Sequence, residues 1–64
     1  MRKTWILQDI PSRFILGTST NKDIILKLYN KIKKSYKDKV TMYNVKRYHT
    51  DTVYQFKNDV LVSR

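Results

Sequence analysis

The chain has 64 residues and carries 14 Lys and Arg against 5 acidic residues, which gives a formal charge of +9 at pH 7. It has no cysteine and a single histidine, which excludes a disulfide framework, a cysteine zinc site and an all-histidine metal site within one chain. A chain this short forms a single domain with a small core. Because 41% of its residues are hydrophobic, we expect residues 1–64 to fold rather than to form a disordered basic tail.

The acidic residues are all aspartate, and glutamate is absent. The abundance of Lys, Ile, Asn and Tyr is typical of an AT-rich genome and fits a protein encoded by a phage or a mobile element. Glutamate also has AT-rich codons, so its absence indicates a depletion of negative charge beyond codon usage.

No segment is suited to a membrane or to export. The longest apolar runs have three residues, far fewer than the roughly 20 that a spanning helix needs. Gln8 and Asp9 end the first apolar run too early for the core of a signal peptide. We therefore expect a cytoplasmic protein with no membrane partner.

The first third of the chain predicts a β-hairpin. Two β-rich runs, residues 5–8 and 13–16, flank the turn-rich residues 9–12. A four-residue loop between the runs pairs Leu7 with Phe14 and Trp5 with Leu16 on one apolar face. The other face then carries Ile6, Gln8, Arg13 and Ile15.

A helix is predicted over residues 21–36. Thr20 precedes it in capping-box order, with Asp23 in place of the usual glutamate. Apolar residues recur at helical spacing and fall within one arc: Ile24, Ile25, Leu28, Tyr29, Ile32 and Tyr36. The opposite arc carries Lys27, Lys31 and Lys34.

The last third returns to an alternating pattern and predicts a second hairpin, with strands at residues 40–48 and 52–57 and a loop at 49–51. Pairing Tyr48 with Val53 brings Val45 opposite Phe56. In this register the helix covers Tyr43, Val45, Tyr54 and Phe56. The solvent-facing side carries Asn44, Lys46, Tyr48, Gln55 and Lys57. Residues 58–59 signal a turn, and residues 60–62 form either a short fifth strand or a continuation of the fourth.

The predicted order is ββαββ with an optional fifth strand. This is a small α+β domain, in which one amphipathic helix covers one side of an antiparallel sheet. The plan is similar to that of the small DNA-binding domains at phage integrase N-termini and of double-stranded-RNA-binding domains. The resemblance covers the plan alone and assigns no residues.

The chain offers few side chains for catalysis. His49 and Asp51 together with a serine would form a triad, but a histidine and an aspartate in a predicted loop are far more often ordinary turn residues. With Gly17 as its only glycine, the chain has no glycine-rich phosphate loop. We predict a non-enzymatic protein without cofactor or metal.

Basic and aromatic residues indicate a polyanionic partner, because Lys and Arg neutralise phosphates while Tyr and His stack on bases. We predict a nucleic-acid-binding protein, with DNA favoured over RNA. The predicted contact residues are Lys27, Lys31 and Lys34 on the helix, Lys46, Arg47, Tyr48 and His49 at the hairpin, and Lys57 on the sheet.

Two contact geometries suit these residues. In the first, the second hairpin enters the major groove with Lys46, Arg47 and His49 while the helix lysines lie over the backbone. In the second, the sheet face with Asn44, Lys46, Gln55 and Lys57 lies on the nucleic acid.

The alternative function is a protein-binding module or inhibitor that docks on an acidic host protein, since electrostatic steering serves either partner. Both functions are compatible with a homodimer, because Ile6 and Ile15 or an edge strand are otherwise exposed.

Overall fold

The structure is a computed structural model that describes residues 3–36, 39–46 and 49–63. These residues form β1 (Thr4–Asp9), β2 (Ile15–Ser19), α1 (Lys22–Tyr36), β3 (Val40–Lys46), β4 (His49–Lys57) and β5 (Val60–Ser63). The five strands pair antiparallel in the order β2-β1-β3-β4-β5, and α1 packs on one side of the sheet. The predicted two-layer α+β fold is confirmed, including the fifth strand.

The core lies between the helix and the sheet. Ile25 and Tyr29 of α1 are buried there against residues of the three central strands, namely Leu7, Val40, Met42 and Phe56. The Tyr29 ring stacks on Phe56 with centroids 3.7 Å apart, and its hydroxyl donates to Asp59 Oδ1 at 3.0 Å. The helix is thereby joined to the turn between β4 and β5.

The helix begins one residue later than predicted, and Asn21 caps it rather than Thr20. Asn21 Oδ1 accepts the backbone N–H of Asp23 at 2.9 Å. Ser19 Oγ in turn accepts the N–H of Asn21 at 3.0 Å, which fixes the chain entering the helix. Asparagine caps at least as well as threonine, so residue preference alone does not choose between the two positions. The predicted end of the helix at Tyr36 is confirmed.

Gly17 lies where β2 passes beneath the helix. A Cβ atom at this position would collide with Cδ2 of Leu28, and no positive φ is required there. The glycine therefore serves the close approach of α1 to β2 rather than a turn.

The first hairpin forms, but its predicted register is wrong. Leu7 pairs with Gly17 instead of Phe14, and Trp5 pairs with Ser19. Phe14 is accordingly 67% exposed and contributes little to the core.

The chemistry of the turn accounts for this shift. The Asp9 carboxylate accepts hydrogen bonds from the backbone N–H and the hydroxyl of Ser12, as Asp does at the start of a turn. Asp9 therefore ends β1 instead of opening the loop, and residues 10–14 connect β1 to β2. The pairing with β1 also skips Leu16, which is a bulge in β2 and moves the register further.

The second hairpin also forms in a different register. Met42 pairs with Tyr54 and Tyr43 with Val53, whereas the alternating pattern predicted Tyr48 opposite Val53. Residues 49–51, predicted as the loop, belong to β4, and the pairing skips residue 51. Arg47 and Tyr48 lie outside the described residues.

This register reverses the predicted faces of β3. Met42 and Asn44 lie on the helix side and are buried, whereas Tyr43 and Val45 lie on the other side. The segment has apolar residues on both faces, so alternation cannot choose between them. Pairing with β1 decides, because it places Met42 directly beside the buried Leu7.

The β4–β5 hairpin has a two-residue turn. Asn58 and Asp59 adopt φ angles of 53° and 64°, and Lys57 pairs with Val60 on either side of them. Asn and Asp tolerate this left-handed conformation, which two-residue hairpin turns require. The turn signal at these positions is confirmed.

We refer to the sheet side that faces away from α1 as the open face. No described element covers it. The strand registers place the following residues on it: Thr4, Ile6, Gln8, Ile15, Thr18, Thr41, Tyr43, Val45, Thr50, Val53, Gln55, Lys57, Val60 and Val62.

Candidate nucleic-acid interface

Three lysines form a stripe along the outer side of α1, which we call the helix stripe: Lys27, Lys31 and Lys34. All three are exposed. At 3.6 residues per turn they fall within an arc of about 60°, away from the buried Ile25 and Tyr29, and the stripe is about 10 Å long. The structure therefore places these predicted contact residues together on one surface.

The helix is strongly basic as an element. It carries five lysines and one aspartate within its 15 residues, an excess of four positive charges. Asp23 lies in the first turn, where it complements the helix dipole, and precedes Lys27 by four residues. Lys31 and Lys34 follow with no further acidic residue on the helix.

At the start of the helix, Lys22 is held over two aromatic rings. Its Nζ lies 5.3 Å from the Trp5 ring centroid and 5.5 Å from that of Tyr54. The rings are 6.2 Å apart, and such cation–π contacts restrict the position of the ammonium group. No local pattern in the sequence predicts this cluster, because only the packing of α1 on the sheet brings its three residues together.

Two predicted contact residues lie at the end of the β3–β4 hairpin. Lys46 and His49 pair directly with each other, and both are exposed. The alternation of β3 places them on the same side of the sheet as Asn44, which is the helix side. The predicted contacts Arg47 and Tyr48 fall between them, outside the described residues.

This hairpin is not a free ribbon. β1 remains paired with β3 as far as Thr4 opposite Val45. Among the described residues, the pair Lys46 and His49 alone extends past β1. A major groove is about 8.5 Å deep, so groove insertion by this hairpin is restricted to its tip.

The second predicted geometry required four residues on one solvent-facing side, and this grouping is wrong. Asn44 is 1% exposed and faces the helix, where its Oδ1 accepts the N–H of Thr52 at 3.1 Å. Lys46 also lies on the helix side. Of the four residues, Gln55 and Lys57 therefore lie on the open face and the other two do not. Lys57 is thus separated from the helix stripe by the whole sheet.

Surface depressions in the described part of the chain include one on each side of the sheet. One, of about 350 Å³, lies beside the helix stripe and is lined by Ile24, Lys27, Leu28 and Lys31. The other, of about 310 Å³, lies on the open face and is lined by Gln8, Thr41, Tyr43, Thr50 and Val53. The first combines an apolar floor with two ammonium groups, whereas the second has no charged residue.

Neither a metal-holding group nor a membrane-spanning helix is found among the described residues. They contain no group of three or more His, Asp or Glu side chains placed to hold a metal ion. Their one helix is too short and too polar to span a bilayer.

Relationships to other proteins supply no further assignment. Comparisons with protein-family models, with curated proteins and with solved structures find no match for this chain.

Proposed function

We propose that this is a small, non-enzymatic nucleic-acid-binding protein that contacts phosphates mainly through the helix stripe, with Lys46 and His49 as secondary contacts. One observation carries this most directly, namely the segregation of charge between the two sides of the sheet. The helix has five lysines and one aspartate. On the open face, Lys57 is the one charged residue that the described registers place there.

Phosphate binding follows from the chemistry of these side chains. Lysines that neutralise phosphates release condensed counterions, and this release supplies most of the affinity of non-specific binding. The helix stripe contains no arginine, the residue that reads guanine edges in a bidentate manner. We therefore infer contacts to the backbone rather than to bases, with little sequence specificity.

A duplex suits this surface better than a single strand. Proteins that bind single strands stack successive bases on exposed aromatic side chains. On the helix side Tyr29 is buried, and Trp5, Tyr36 and Tyr54 are half-buried, whereas the 67% exposed Phe14 lies in the loop between β1 and β2. We propose duplex DNA as the partner. From the AT-rich composition and the depletion of negative charge, we further propose that the protein is cytoplasmic and encoded by a phage or mobile element.

The direct test is a titration of labelled duplex DNA, single-stranded DNA and duplex RNA at about 50 and 200 mM NaCl. We expect duplex DNA to bind most tightly and the affinity to fall steeply with salt. The variant Lys27→Gln/Lys31→Gln/Lys34→Gln should lose most of the affinity. Its log–log salt slope should be smaller by roughly 2 to 3, since each phosphate contact contributes about 0.9.

A matched control removes the same charge elsewhere. Lys3→Gln/Lys39→Gln/Lys57→Gln also lowers the formal charge from +9 to +6 but leaves the helix stripe intact. Equal losses in both triple variants would show a diffuse charge effect instead of a contact surface. If none of the three nucleic acids binds at the lower NaCl concentration of the titration, about 50 mM, the proposed function is overturned.

An acidic protein is the second candidate partner, favoured by the depression beside the stripe. Ile24 is 53% exposed and, with Leu28, forms an apolar floor between Lys27 and Lys31. An acidic amphipathic segment would match both features. If the protein binds such a partner even after nuclease treatment, and Ile24→Asp abolishes this binding, the result would favour an acidic protein over DNA.

A further inference from the structure

The open face is unusual for a chain of this charge. Half of the 14 residues that the registers place on it are apolar. Among these, Ile6, Tyr43, Val45 and Val53 adjoin one another on β1, β3 and β4 and are half-buried. Ile15 is 49% and Val62 42% exposed. Adjoining apolar residues on a sheet face that no described element covers mark a candidate interaction surface.

We propose that the open face packs against the open face of a second copy, forming a symmetric two-sheet dimer whose helix stripes point in opposite directions. Each stripe would then hold its own nucleic-acid segment, so that one dimer bridges two segments. The bridging rests on the proposed function, whereas the dimer does not.

Charge explains why a second copy fits this face. Two chains of +9 repel each other, but the lysines of the helix stripes lie on the far sides of the two sheets. Lys57 is the one charged residue that the described registers place on each open face, and it lies beside the β4–β5 turn. With sheets about 10 Å apart and a helix about 10 Å thick on each, the stripes are at least about 30 Å apart. The Debye length at physiological salt is about 8 Å, so screening removes most of this repulsion. An acidic protein would find its complement on the helix side instead.

The area of the face limits the size of the dimer interface. Five strands of four to nine residues cover roughly 24 by 20 Å, so two faces bury about 1,000 Å² in total. This is at the lower limit for a specific interface, so we expect a weak dimer that dissociates on dilution.

Sedimentation velocity from about 5 to 500 µM tests the dimer through mass action. Ile15→Lys places a charge on the open face at a half-exposed position. Ile24→Lys is the matched control, because this isoleucine is 53% exposed but lies on the helix. We expect the wild type and Ile24→Lys to approach twice the 7.8 kDa chain mass and Ile15→Lys to remain monomeric.

Val62→Lys, on the opposite edge of the open face, is a second disrupting variant, and circular dichroism verifies the fold of each. A wild type that is monomeric throughout would overturn the dimer. A dimer that persists in both open-face variants would also overturn it and indicate pairing through strand edges, since side chains on the face do not block backbone hydrogen bonds there.

Energy transfer between two duplexes, one labelled with a donor and the other with an acceptor, tests bridging. We expect transfer with the wild type and none with Ile15→Lys, although Ile15→Lys still binds a single duplex. Dimerisation without any duplex binding would overturn the proposed function and leave the dimer in place. Duplex binding by a dimer without energy transfer would overturn the bridging.

Discussion

At the scale of single residues, Asn44 shows how burial changes the role of a polar side chain. The alternating pattern placed it among hydrogen-bonding surface residues. In the fold it lies on the helix side, opposite Trp5 in β1 and Thr52 in β4. Its Oδ1 accepts the Thr52 N–H next to the bulge, where the strand ladder is interrupted. Asn44 is thus a structural residue that completes the pairing of β3 with β4.

We expect Asn44→Ala to lower the free energy of unfolding by about 1–3 kcal/mol, because the Thr52 N–H loses its acceptor. Urea denaturation measures this. The control is Gln55→Ala, an amide on the open face of β4, with an expected change within about 0.5 kcal/mol. Equal losses in the two variants would contradict the buried role of Asn44. Duplex affinity should not change in either variant.

At the scale of elements, the helix was predicted almost to the residue because its apolar spacing is regular. Its first turn was not, since the chain from Ser19 to Asn21 offers three residues able to cap. The structure uses Asn21 as the cap and Ser19 to hold the cap in place. The first hairpin shows the same limit: its turn was recognised, but the loop starts after Asp9, one position later than predicted. In the second hairpin the predicted loop itself was wrong, because residues 49–51 belong to β4.

The two candidate caps are separated by substitution. Asn21→Ala removes the acceptor of the Asp23 N–H, and we expect it to lower the free energy of unfolding by about 1 kcal/mol. Thr20→Ala, at an exposed position, should change it by less than about 0.5 kcal/mol. Thermal or urea unfolding followed by circular dichroism gives both values, and a larger loss for Thr20→Ala would restore the cap predicted from the sequence.

At the scale of the whole molecule, the fold divides a charge of +9 unevenly. The helix side carries the stripe and the hairpin pair Lys46 and His49, and the open face is nearly uncharged. Neighbouring lysines on the stripe are four and three residues apart, which are repulsive spacings on a helix. The basic surface therefore costs stability in the free protein, and a polyanion bound to it would offset this cost.

This repulsion has a measurable consequence without any partner. Raising NaCl from about 10 to 300 mM should stabilise the wild type by several tenths to about 1 kcal/mol, because salt screens the lysines of the helix. Lys27→Gln/Lys31→Gln/Lys34→Gln should show a smaller salt response and greater stability at low salt. Urea unfolding at both salt concentrations measures this, and an identical salt response in the two proteins would show that the repulsion lies elsewhere.

The sequence by itself determined the α+β class, the order of the elements, the extent of the helix and the lysines of the helix stripe. These features follow from periods of 3.6 and 2 residues and from turn chemistry, which act over short distances along the chain. Only the tertiary structure decided which side of β3 is buried, where Asn44, Tyr43 and Lys46 lie, and that Lys22 meets Trp5 and Tyr54. Strand register joins residues far apart in sequence, and β3 is apolar on both faces, so its orientation is set by packing against β1 and the helix rather than by its own pattern.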